Sequence, residues 1–125
     1  MPTILVADDE TDLLTILHDR LAALGFEVRT ARNGVEALEG INAERPDVVI
    51  LDLMMPELNG FQVCRRVKAD PALRTTPVIM LTAKDTEADR FWGHEVGADL
   101  YLTKPMDPAQ VVAHVQKLLS ERCQI

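Results

Sequence analysis

The sequence contains no run of about 20 apolar residues, the length needed to cross a bilayer. Its N-terminus lacks the basic-then-apolar pattern of a secretory signal. The expectation is a cytoplasmic chain with no membrane contact. Basic residues are scarce: 13 Lys and Arg stand against 20 Asp and Glu, a net charge of −7. Phosphate backbones demand basic patches, so direct nucleic-acid binding by this chain is not expected. The two cysteines, Cys64 and Cys123, match no metal-binding or redox spacing. They read as a helix-packing residue and a tail residue. Internal repeats, low-complexity runs and linkers are also missing.

What remains is the composition of an ordinary globular protein, 47% hydrophobic and 26% charged over 125 residues. That length supports one domain, residues 1–125, around a single sizeable core. Three stretches are apolar throughout: "TILVA" at 3–7, "VVIL" at 48–51 and "PVIML" at 77–81. Runs apolar on both faces suit strands of a parallel sheet covered by helices. "FEVRT" at 26–30 alternates, as an edge strand with one wet face should. "DLYL" at 99–102 makes a short fifth strand.

Helical patterns separate the strands. Leu13, Leu14, Leu17, Leu21 and Leu24 recur at helical spacing, and Gly25 stops the first helix. Asn33 and Glu36 start a second, which reaches about Glu44 with a costly Gly40 inside. Phe61, Cys64 and Val67 mark a third. Ala88, Trp92 and Val96 mark a fourth, closed by Gly97 and weakened by Gly93. Asp107, Pro108 and Gln110 form the N-cap, first-turn proline and capping-box partner of a fifth, with Val111, Val112, Val115, Leu118 and Leu119 as its apolar stripe. The alternation predicts an α/β fold, a (βα)5 doubly wound five-stranded parallel sheet with right-handed crossovers. The common strand order for five strands is 2-1-3-4-5, and ligands then bind at the carboxyl ends of strands 1 and 3.

Those ends carry the chemistry. Strand 1 ends in Asp8 and Asp9, with Glu10 next; strand 3 ends in Asp52. Strand 4 runs into Thr82 and strand 5 toward Lys104. With neighbouring strands about 4.8 Å apart, Asp52 faces the Asp8/Asp9 pair on one side and Thr82 on the other. Lys104 starts about 10 Å away, but its stem can lean back across Thr82. Clustered carboxylates repel by about 1–4 kcal/mol per close pair, and one lysine offsets only part of that. All candidate ligands are oxygens, which favours a hard divalent ion, Mg2+ or Mn2+ in its place. A carboxylate beside such an ion, with a hydroxyl and an ammonium aimed at the same point, is arranged to attack phosphorus and become an aspartyl phosphate.

Four motifs, "VADDE" at 6–10, "LDLMMPELNG" at 51–60, "MLTA" at 80–83 and "YLTKP" at 101–105, fall in order at predicted strand ends. Together they closely resemble the flavodoxin-like receiver domain of two-component response regulators, over the whole chain. The resemblance implies that Asp52 is the phosphoacceptor, and that Asp8, Asp9, Asp52 and the backbone carbonyl of Met54 hold Mg2+. It implies that Thr82, Lys104 and the Ala83 N–H hold phosphoryl oxygens, and that a cis Lys104–Pro105 peptide aims the lysine inward. Pro56 and Gly60 fit the turn into helix 3. Thr82 and Tyr101 match the family's switch pair, in which the ring rotates inward when Thr82 moves. Met54 and Lys84 occupy two positions that influence how fast the phosphoryl group is lost; Met54 cannot orient a water, so slow self-dephosphorylation is expected. The implied donor is a sensor histidine kinase or phosphotransfer protein, since His18, His94 and His114 lie within helices away from the crevice. The implied recipient is an output domain or downstream protein that reads the helix 4–strand 5–helix 5 face, and a phosphorylation-dependent homodimer is compatible with it.

Plainer readings exist for each residue alone. Asp8, Asp9 and Glu10 could cap a helix, Asp52 and Thr82 could be turn residues, Lys104 a surface lysine, Tyr101 a half-buried strand aromatic and Trp92 a packing residue. Their joint placement at strand ends argues against coincidence. Among other functions, a haloacid-dehalogenase-type phosphatase wants a second Asp two positions after the first, where this chain has Met54. A nucleotide or flavin module needs a Gly- or Ser/Thr-rich phosphate loop, where this chain has "ADDETD". A degenerate receiver acting only as a binding module would not need the complete acid–Thr–Lys set. The expectation is therefore a phosphorylation switch and not an enzyme with turnover.

Overall fold

The computed structural model describes residues 2–82, 97–104 and 106–123, with the side chains of Thr82, Arg122 and Cys123 outside the description. The chain alternates strand and helix: β1 (Thr3–Ala7), α1 (Thr11–Ala23), β2 (Glu27–Ala31), α2 (Gly34–Glu44), β3 (Val48–Asp52), α3 (Gly60–Ala69), β4 (Val78–Thr82), β5 (Leu100–Thr103) and a C-terminal helix (Pro108–Cys123). All four strand pairings are parallel, in the order β2-β1-β3-β4-β5. The fold is therefore the expected one. The expected fourth helix, with Ala88, Trp92, Gly93, His94 and Val96, lies outside the described residues, as do Ala83, Lys84 and Pro105. Gly97, its expected stop, has φ of +88°.

Why three strands read as unbroken apolar runs is plain from the two layers they separate. Leu5, Ala7, Val49, Leu51, Val78 and Met80 point to one face, against Ala37 and Ile41 of α2 and Val63, Cys64 and Val67 of α3. Ile4, Val6, Val48, Ile50, Ile79 and Leu81 point to the other, against Leu14, Leu17 and Leu21 of α1 and Val111 and Val115 of the C-terminal helix. Successive strand residues thus alternate between two dry layers. Each fully buried Leu, Ile or Val contributes about 1.5–3 kcal/mol relative to exposure. The edge strand β2 keeps Glu27, Arg29 and Thr30 in water.

Element ends differ from expectation by one residue, for identifiable reasons. Phe26 donates its N–H to Leu21 at 3.3 Å and so finishes α1 before β2 begins at Glu27. Asp52 is the last residue of β3, paired with Leu81, where the sequence places it. Leu24 is not part of the buried stripe: it caps α1 and is exposed, with Gly25 following at φ +92°. Asn33 caps α2 by accepting from Glu36 N–H at 2.8 Å, as its spacing predicts. In the C-terminal helix the Asp107 carboxylate accepts from Ala109 N–H at 2.9 Å, one residue before the expected partner; Gln110 N–H goes to the Asp107 carbonyl at 2.8 Å. Gly40, costly for helix propensity, has a packing reason: a Cβ there would stand 2.7 Å from Leu5 Cδ1.

Candidate functional site

Register fixes which residues meet at the carboxyl rim of the sheet. Ala7 pairs with Leu51, so Asp8 and Asp52 follow at the same level. Asp52 pairs with Leu81, and Thr82 with Thr103, which puts Lys104 one residue past the end of β5. Asp8, Asp9 and Asp52 each offer a carboxylate oxygen, and these oxygens lie within 4.8 Å of one another. Asp8 is wholly buried, Asp52 is 3% exposed and Asp9 faces water.

The Lys104 ammonium enters this cluster. Its Nζ lies 2.8 Å from Asp8 Oδ2, 3.2 Å from Glu10 Oε1 and 3.5 Å from Asp52 Oδ1. The other Asp8 oxygen accepts from Glu10 N–H at 2.9 Å, and the Asp8 N–H donates to Ala31 at 3.0 Å. Asp52 Oδ1 takes the Met54 N–H at 3.4 Å. Among the described residues no buried side-chain nitrogen or oxygen lacks a partner. The site is therefore incomplete in charge, not in hydrogen bonding. Among the described residues one ammonium meets three carboxylates, with that of Asp9 beside them.

That imbalance shows in the titration of Asp52. Burial, then repulsion from Asp8, push its carboxyl from the ordinary 3.8 up to about 7, against the opposing pull of Lys104 and the Met54 N–H. Burial pulls the Lys104 ammonium down, but its bond to Asp8, the charges of Asp52 and Asp8 and the bond to Glu10 together hold it above its ordinary range. A divalent cation would remove the imbalance. Three convergent carboxylates, with no nitrogen or sulfur donor beside them among the described residues, suit a hard ion.

The loop after Asp52 is shaped by its glycine. A Cβ on Gly60 would stand 2.6 Å from the Asp52 carbonyl and 2.8 Å from Met80 Sδ, and the Gly60 N–H donates to Leu53 at 2.9 Å. No other residue fits where α3 begins. Asn59 and Gln62 form a full capping box there, with both bonds at 2.9 Å. Pro56 is exposed in the same loop, and its carbonyl accepts from Gly34 N–H at 3.5 Å.

Of the expected site residues, the fold brings together Asp8, Asp9, Asp52 and Lys104. Thr82 ends β4 in the adjoining register, with its side chain outside the description. Met54 is 51% exposed beside Asp52. Tyr101, opposite Met80 in β5, is half-buried against the layer of α2 and α3. Ala83 and Pro105 lie outside the described residues. Glu10 is the residue missed: only its contact with Lys104, 94 positions away, distinguishes it from a helix-capping acid. His18 is exposed and His114 half-buried in the C-terminal helix, both apart from this cluster. Cys64 is buried in α3, and burial pushes its thiol up to about 11, the behaviour of a packing residue.

A family model described as the response regulator receiver domain matches residues 4–116. The alkaline phosphatase synthesis transcriptional regulatory protein PhoP of Bacillus subtilis is 44% identical over 116 residues, 93% of this chain and 48% of its own length. The probable transcriptional regulator ycf27 of Guillardia theta is 45% identical over 116 residues, 93% of this chain and 44% of its own. The chain thus spans about half the length of these curated relatives. Among solved structures, the signal receiver domain of a signal transduction histidine kinase from Syntrophus aciditrophicus superposes with a TM-score of 0.91 at 36% identity, covering 100% of this chain and 95% of that one.

Proposed function

Because the chain belongs to the response regulator receiver domain family, we propose that residues 1–125 form one such domain and that Asp52 is its phosphoacceptor. The observation that carries this reading is a carboxylate 3% exposed, with Lys104 Nζ at 3.5 Å and the oxygens of Asp8 and Asp9 within 4.8 Å. A carboxylate oxygen of Asp52 attacks the phosphorus of the donor. A new O–P bond forms as the bond from phosphorus to the leaving group breaks, and the leaving group departs with the electron pair. Positioning and charge neutralisation supply most of the acceleration in such transfers.

Asp8, Asp9, Asp52 and the backbone carbonyl of Met54 are the groups that would hold Mg2+, or Mn2+ in its place. When bound, the cation supplies positive charge that offsets the carboxylates and the incoming phosphoryl oxygens. Lys104 turns its ammonium to the phosphoryl group, and the Thr82 hydroxyl and Ala83 N–H take its remaining oxygens. As Thr82 moves, Tyr101 rotates inward and alters the face made by the expected fourth helix, β5 and the C-terminal helix. The domain works as a switch without turnover: it accepts a phosphoryl group and loses it slowly.

The donor is a sensor histidine kinase or phosphotransfer protein, and the recipient is an output domain or downstream protein, with a homodimer as one form of the response. Transcriptional control is the output that the names of the curated relatives support. A cytoplasmic setting agrees with the finding that no helix among the described residues is long and apolar enough to cross a membrane. The test is incubation with acetyl phosphate, with and without Mg2+, followed by intact mass measurement. One Mg2+-dependent phosphoryl adduct, absent from Asp52→Asn, is expected; an adduct that survives the substitution overturns the assignment.

A further inference from the structure

Glu10 occupies the N-cap of α1, yet its side chain makes no capping bond. An acidic side chain at that position ordinarily faces the helix amides. Here the carboxylate instead accepts from Lys104 Nζ at 3.2 Å, closer than Asp52 at 3.5 Å. The two nearest partners of the lysine differ in kind. Asp8 is wholly buried at 2.8 Å and tied down by the Glu10 N–H, so that contact is fixed. The Glu10 side chain is 61% exposed, and among the described residues Lys104 is its one side-chain partner, so that contact is exchangeable.

We infer that Glu10 is a positioning residue that holds Lys104 back from Asp52, and that phosphoryl acceptance exchanges the Lys104–Glu10 contact for a Lys104–phosphoryl contact. The inference rests on Asp52 being the acceptor. The adduct replaces the single charge of the Asp52 carboxylate with up to about two negative charges spread over phosphoryl oxygens. The ammonium then has a stronger anion on its Asp52 side than the exposed carboxylate it leaves. Asp8 stays bound to it throughout and acts as the pivot. Glu10 thus sets a threshold: the lysine is committed to the reaction only when the phosphoryl group is there to outcompete it.

Glu10→Gln keeps the shape and removes the charge, and Glu10→Asp shortens the reach. Asp12→Asn is the control, since Asp12 is exposed in the first turn of α1 and removes an equal charge without touching Lys104. With acetyl phosphate and Mg2+, both Glu10 variants are expected to form the Asp52 adduct about three- to fivefold faster than the wild-type chain, the size expected for loss of one exposed pair. Asp12→Asn is expected to stay within about twofold. Calorimetric titration with beryllofluoride, a phosphoryl mimic that does not react further, is expected to show about three- to fivefold tighter binding to Glu10→Gln. Unchanged or slower acceptance by the Glu10 variants overturns the inference, as does an equal acceleration by Asp12→Asn. A wild-type chain that forms no adduct at Asp52 overturns both this inference and the reading beneath it; an adduct with no Glu10 effect overturns this one alone.

Discussion

Two lysines sit at opposite ends of the same parallel sheet, and both are drawn out of water: the Lys104 side chain is 10% exposed and that of Lys68 is 18%. Lys68, near the end of α3, donates to the Thr76 carbonyl at 2.7 Å, the Arg74 carbonyl at 3.2 Å and Asp99 Oδ2 at 3.1 Å. The same Asp99 oxygen accepts from Val78 N–H at 2.8 Å. One ammonium meets one carboxylate and two dipoles, so charge and hydrogen bonds balance. That knot joins α3, the loop after it, the first residue of β4 and the residue before β5. Lys104, past the far end of β5, meets three carboxylates and balances none of them fully. A ligand has nothing to add at the first lysine and much to add at the second. The contrast separates a structural ion pair from a binding site better than burial does.

Removing each lysine sharpens that contrast, and Lys104 gives the larger effect. Lys104→Met leaves Asp8 buried with no cation, and breaking one partner of a buried pair costs about 3–5 kcal/mol. Urea unfolding of the metal-free protein at pH 7.5 measures it, and Mg2+ is expected to restore part of the loss. A variant as stable as the wild type would show that Asp8 needs no counter-charge.

The opposite sign is expected at Asp52. Its carboxyl in the folded chain titrates near 7, above the ordinary 3.8, because burial and Asp8 disfavour the charged form. Between those values the folded state binds more protons than the unfolded state, so stability falls as pH rises through that window and levels off above it. Asp52→Asn has no such group. In metal-free buffer it is expected to gain on the order of 2–4 kcal/mol at pH 8 and almost nothing near pH 4. Unfolding midpoints measured across that range decide it; parallel pH profiles for the two chains would refute the displaced titration.

At the quiet end of the sheet, Lys68→Met strands two backbone carbonyls and a carboxylate that is 40% exposed. The expected cost is about 2 kcal/mol, independent of Mg2+, with phosphoryl acceptance within about twofold of the wild type. A large loss of acceptance at unchanged stability would mean that the knot takes part in the switch.

How far these features could be read from the sequence depends on how far apart their parts lie. The apolar runs at 4–7 and 48–51 announce doubly covered strands, because each residue is judged by its own side chain. The strand order and the meeting of Asp52 with Asp8 follow from topology alone. Asp8 and Asp9, adjacent and chemically identical, differ in the fold by complete burial against exposure, and no local pattern distinguishes them. The choice of Lys104 between Asp8, Glu10 and Asp52 depends on a fraction of an ångström across strands that are far apart in the chain. The knot is similar: Lys68 and Asp99 are separated by 31 positions, and each reads alone as a surface charge. The Asn59–Gln62 capping box is a different case, since its three-residue spacing lies wholly within the local sequence.

Met54 gives the smallest expected effect and bears on the lifetime of the charged state, not its formation. Its side chain is the most exposed of the large hydrophobic residues described, at 51%, and it sits two residues after Asp52 at the mouth of the cluster. Hydrolysis of an aspartyl phosphate needs a water held in line with the O–P bond. A thioether accepts hydrogen bonds weakly and cannot orient that water, and its apolar bulk excludes it. An amide at the same place offers a donor and an acceptor. Met54→Asn is therefore expected to shorten the lifetime of the adduct by about three- to tenfold. Decay of the phosphoryl mass after removal of acetyl phosphate measures it. Stability should change little, because an exposed side chain is being exchanged. A lifetime unchanged by the substitution would place the control of water elsewhere along the rim.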